Sequence, residues 1–78
     1  MQKGLKRKQK FLSGFGVNLR KIRDEKSLSQ QKLADISDLS KTYILNLELG
    51  RSYPTIETLW MLSEALEIEV EELLNYKY

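Results

Sequence analysis

Cysteine and histidine are both absent from this 78-residue chain. Without cysteine there is no disulfide, no thiolate metal site and no thiol nucleophile. Without histidine the usual general base and commonest metal ligand are missing, which removes most enzymatic mechanisms at once. There is no Gly-rich phosphate loop and no metal-ligand spacing, so the chain is expected to be no enzyme and to hold neither cofactor nor metal. The longest apolar runs are only a few residues, too short to span a membrane. With one proline and four glycines, little interrupts a helix. What is present, 41% hydrophobic residues, can build one compact core but not a deep active-site cleft. A single small cytoplasmic domain fits these facts.

Charge is scarce in net terms, +2, but it is unevenly placed. Residues 1–51 hold twelve Lys/Arg against five Asp/Glu, a net of +7, and residues 52–78 hold one Lys against six Glu, a net of −5. A one-ended basic field suits a polyanion, because each neutralised phosphate releases condensed counterions. Five of the cations, Lys3, Lys6, Arg7, Lys8 and Lys10, precede Phe11 and Leu12, as in a secretory signal. Ser13, Gly14 and Gly16 break the apolar stretch that would have to follow, so no signal sequence is read there. With no acid and few apolar residues, this segment is expected to be a basic flexible arm over 1–12, with the folded domain over 13–78.

The helical period begins near Ser13, a candidate N-cap, with Leu12, Phe15, Leu19 and Ile22 at spacings of three and four. This first helix should end near Lys26–Ser27. Ser29 caps a second helix, QQKLADIS, with Leu33 and Ala34 inward, and Asp38 suits a left-handed turn after it. Ser40 caps a third, KTYILNLE, with Ile44 and Leu47 inward, and Gly50 closes it. Thr55 caps a fourth that buries Ile56, Leu59, Leu62 and Leu66. A short fifth, VEELLN, buries Val70, Leu73 and Leu74. Five short helices joined by brief turns make an all-α domain.

The second and third helices satisfy the requirements of a helix-turn-helix: a small residue at the crossing (Ala34), a turn residue (Asp38) and apolar locks (Leu39, Ile44, Leu47). The third helix then presents Lys41, Thr42 and Asn46, residue types that hydrogen-bond base edges. Three further anchors recur in order: Ser29, Gln30, Leu33 and Ala34; then Ser40, Tyr43, Ile44, Leu47, Glu48 and Gly50; then Pro54 to Leu59. With these, residues 19–74 resemble the Xre or lambda-repressor-like (Cro/CI-type) helix-turn-helix family.

The resemblance implies a five-helix lambda-repressor-like domain that regulates transcription, commonly as a repressor, by binding double-stranded DNA. Lys41, Thr42, Leu45 and Asn46 match its base-contacting positions, and Gln30, Ser40, Tyr43, Arg51 and Ser52 its phosphate-contacting ones. Arg23 and Glu48 match its structural ion pair. Leu45 departs from the usual polar residue and either meets a thymine methyl or packs under the arm. Glu67 stands where the family commonly has a small residue, so a slightly strained turn is expected. Trp60 is either an ordinary half-buried side chain or part of a subunit interface with Tyr76 or Tyr78. The implied assembly is a homodimer on a palindromic operator. Restriction–modification controller proteins, small phage repressors and antitoxins are free-standing domains of this length in the family. The alternative function is a protein-interaction module, such as an antitoxin that neutralises a partner toxin.

Overall fold

A computed structural model describes the backbone from Gln2 to Tyr78 and the side chains from Gly4 onward. The described residues form five helices and no strand: α1 (Gln2–Glu25), α2 (Gln30–Ser37), α3 (Lys41–Glu48), α4 (Ile56–Leu66) and α5 (Val70–Leu73). Three of the starts follow from capping chemistry. The hydroxyls of Ser29, Ser40 and Thr55 accept from the amides of Lys32, Tyr43 and Thr58, each at 3.0 Å. Each bond satisfies a donor the helix leaves unpaired. The ends are left-handed turns at Ser27, Asp38, Gly50 and Glu67, with φ of 58°, 62°, 72° and 56°. Glycine is the natural residue for that backbone and asparagine or aspartate the tolerated ones, so Glu67 carries the strain expected of it.

One core gathers a side of every helix. Phe15, Leu19, Leu33, Ile44, Leu47, Leu62, Leu66 and Leu73 are all essentially inaccessible to solvent. Two polar or missing side chains set how α1 meets the rest. The buried Asn18 amide donates to the carbonyls of Glu72 and Leu73 at 2.8 and 3.0 Å, satisfying the end of α5. At Gly16, α1 approaches the C-terminal end of α3 so closely that a Cβ would overlap the carbonyls of Leu47 and Glu48.

Three expectations are corrected. No helix starts at Ser13: α1 is continuous from Gln2, so the backbone has no break between an arm over 1–12 and the domain that follows. Met1 and the Lys3 side chain lie outside the described residues. Lys, Arg, Gln and Leu are good helix formers, and Phe11 and Leu12 anchor this stretch to the body. Ile56 is 84% exposed, and Thr58 takes the buried position instead. As the first residue of α4, Ile56 lies outside the core although its spacing from Leu59 suggested otherwise. Leu74 follows α5, which is only one turn long, and is also exposed.

Candidate nucleic-acid interface

α3 is divided lengthwise. Ile44 and Leu47 point into the core and Glu48 is buried beside them. On the other side Lys41 and Leu45 form one row and Thr42 and Asn46 a second, each pair four residues apart. Lys41, Thr42 and Leu45 are exposed and Asn46 half-buried. The four expected base-contacting residues therefore share one outward face. Leu45 is exposed beside the polar residues.

An ion pair fixes α3 against α1. Arg23 Nε and Nη2 donate to Glu48 Oε2 and Oε1 at 2.6 and 3.0 Å, with side chains only 9% and 3% exposed. Arg23 Nη1 donates to the Leu28 carbonyl at 2.7 Å and lies 3.3 Å from Asp24 Oδ1. The hydrogen bond to Glu48 is the main reason the Arg23 guanidinium is held above its ordinary value. Burial opposes this, and the charges of Glu48 and Asp24 add to it. Gln30 Nε2 joins the group, donating to Glu48 Oε1 at 3.0 Å. This ties the N-terminus of α2 to the end of α3 and leaves the second amide hydrogen of Gln30 free for a phosphate oxygen.

The loop after α3 is braced in the same way. Asn46 and Leu47 carbonyls accept from the amides of Arg51 and Gly50 at 2.8 and 3.1 Å. The Tyr43 hydroxyl donates to the Tyr53 carbonyl at 3.0 Å, since a carbonyl can only accept, and it lies 3.1 Å from Thr58 Oγ1. Its single proton is thus already engaged within the protein. A phosphate contact from Tyr43 would have to replace that bond. Ser40 and Arg51 are exposed and Ser52 half-buried on either side of α3. They lie at the two ends of the rows of Lys41, Thr42, Leu45 and Asn46. The bracing roles of Tyr43 and Thr58, Asn18 and Gly16 are not readable from residue type. They depend on which chain segment lies opposite.

Comparison with known proteins agrees with this fold. The helix-turn-helix family model matches residues 19–73, more than half of the chain. The chain is 42% identical over 58 residues to the control protein C.SmaI of Serratia marcescens, covering 74% of this chain and 69% of that protein. To the control protein C.BamHI of Bacillus amyloliquefaciens it is 38% identical over 63 residues, 80% of this chain and 78% of that one. The crystal structure of the restriction-modification controller protein C.AhdI from Aeromonas hydrophila superposes with a TM-score of 0.78 at 39% identity, covering 80% of this chain and 94% of that chain. No helix among the described residues is long and apolar enough to cross a membrane. A capped α2–α3 pair, its outward polar rows and these likenesses lead to one assignment: the chain belongs to the helix-turn-helix family of transcription regulators.

Proposed function

We propose that this protein regulates transcription in the cytoplasm by binding a palindromic operator as a homodimer, with α3 of each subunit in the major groove. The observation that carries the reading is the lengthwise division of α3. Its core side is locked by Ile44 and Leu47, so Lys41, Thr42, Leu45 and Asn46 are presented on a rigid frame. Lys41 and Asn46 suit guanine and adenine edges, and Leu45 suits a thymine methyl. Gln30, Ser40, Arg51 and Ser52 would fix the register through phosphates, and Tyr43 would brace the loop that carries two of them.

One subunit makes too few base contacts for useful discrimination, at roughly 1–3 kcal/mol for each good one. A two-fold dimer doubles the site and places the two copies of α3 about one DNA turn apart. Ile56 and Trp60 support a dimer, because they are four residues apart on the outer face of α4 and both are exposed. The likeness to control proteins favours a restriction–modification controller that regulates its own operon.

Selection of bound sequences from random duplex DNA tests the reading. Lys41→Ala and Asn46→Ala should each change which bases are preferred. If both variants keep the wild-type preference and lose only affinity, α3 is not the reading helix.

A further inference from the structure

The first turns of α1 carry Lys6, Arg7, Lys8 and Lys10, all exposed. Among the described residues none of the four lies within ion-pair distance of a carboxylate. Like charges at helical spacing oppose one another, so this part of the helix needs to be held from outside. It is held from two sides. The loop after α3 supplies one: Gln9 Nε2 donates to the Gly50 carbonyl at 3.3 Å and to Ser13 Oγ at 3.2 Å, and Lys8 Nζ stands 4.7 Å from the centre of the Tyr53 ring. The C-terminal tail supplies the other. Phe11 meets Tyr78 edge-on at 5.2 Å and Tyr76 at 5.8 Å, and the Tyr76 hydroxyl donates to the Phe11 carbonyl at 2.9 Å. Gly14 leaves space for the Tyr76 ring, which a Cβ would approach to 2.7 Å.

Gln9 and Ser13 mark the side of α1 that faces the loop. Lys6 and Lys10 lie three residues before them, so they border that side along its solvent-exposed edge. The loop continues directly into the exposed Arg51. We infer that Lys6 and Lys10 form a second phosphate-binding strip beside α3, kept in position by the aromatic clasp of Phe11, Tyr76 and Tyr78, and that it grips the backbone of the same DNA. The inference rests on the DNA-binding reading of α3. It differs from a flexible basic arm in that the backbone carrying the cations is already helical, so less conformational freedom is lost on binding. Lys8 is engaged by Tyr53, and Arg7 lies over a groove with Phe11 and Tyr78. Both are secondary to the strip.

The test is the salt dependence of affinity for a duplex selected by the wild type. Each phosphate contact contributes about −0.9 to the slope of log affinity against log salt. Lys6→Gln/Lys10→Gln should flatten the plot by about one to two units per subunit. It should leave the preferred sequence, the helical circular dichroism and the sedimentation coefficient unchanged. Tyr78→Ala, which removes no side-chain charge, should flatten it in the same direction, and Lys77→Gln should leave the slope at the wild-type value. Equal slopes for wild type and the Lys6/Lys10 variant overturn the strip, as does an equal flattening by Lys77→Gln, which would be a general charge effect. A wild-type slope for Tyr78→Ala overturns the role of the clasp. A lysine variant that sediments as a smaller species places these residues in subunit contact and overturns the phosphate assignment. If the wild type selects no sequence, it is the α3 reading that fails, which keeps the two failures distinct.

Discussion

Removing the Glu48 carboxylate should strongly destabilise this domain. In Glu48→Ala, Arg23 loses two hydrogen bonds of 2.6 and 3.0 Å while its own side chain stays nine-tenths buried. Gln30 loses its acceptor as well. Breaking one side of a buried pair costs about 3–5 kcal/mol, because the surviving charge stays desolvated. Arg23 keeps the Leu28 carbonyl at 2.7 Å and the solvated Asp24 at 3.3 Å, which places the loss near the lower end, about 3 kcal/mol. For a domain of this size each kcal/mol moves Tm by about 4–8 °C, so a fall of at least about 12 °C is expected. That is a large share of the roughly 5–15 kcal/mol that holds a small protein folded. Thermal unfolding followed by circular dichroism at neutral pH measures it. The double variant Arg23→Met/Glu48→Leu, which leaves no buried charge, should recover much of the loss. A Tm within a degree or two of wild type for Glu48→Ala would refute the reasoning, and so would a double variant as unstable as the single one.

Gly16→Ala should lower stability more than Gly14→Ala in denaturant unfolding. The new methyl at position 16 meets the backbone of α3, whereas at position 14 it meets a side-chain ring that can swing aside; the reverse order would refute these contacts. Ile56→Glu/Trp60→Glu should sediment as a monomer of unchanged helix content, since both side chains are exposed at 84% and 57% on one face of α4. A variant that stays dimeric moves the interface elsewhere. Burial, and then the neighbouring Tyr78, push the Tyr76 phenol above its ordinary value. A raised value means the fold favours the neutral form. That contribution is therefore full below the ordinary tyrosine value of about 10 and is lost as pH rises through the raised one. Ultraviolet titration should show a late-ionising tyrosine that Tyr76→Phe abolishes, and no late component in the wild type would refute the clasp's burial.

The sequence by itself determined whatever is decided within a few residues of the chain. Ser29, Ser40 and Thr55 cap the residues that follow them, and Asp38 and Gly50 take left-handed angles, because these effects depend on local hydrogen bonds and backbone sterics. The periodicity of Leu33, Ile44, Leu47, Leu59, Leu62 and Leu66 found the core, since amphipathic spacing is a property of one helix at a time. The outward position of Lys41, Thr42, Leu45 and Asn46 followed from the same periodicity. Only the tertiary structure decided what required a distant partner. Whether residues 2–12 are helix or arm turns on Tyr76 and Tyr78 meeting Phe11 from the other end of the chain, which no local pattern records. Gly16 reads only as a break in an apolar stretch until α3 lies against it. Asn18 has no readable role until the end of α5 needs a donor. Ile56 has core spacing and lies outside because α4 begins at the edge of the core. In each case the deciding energy is that of two segments packed together, and it exists only once the chain has folded.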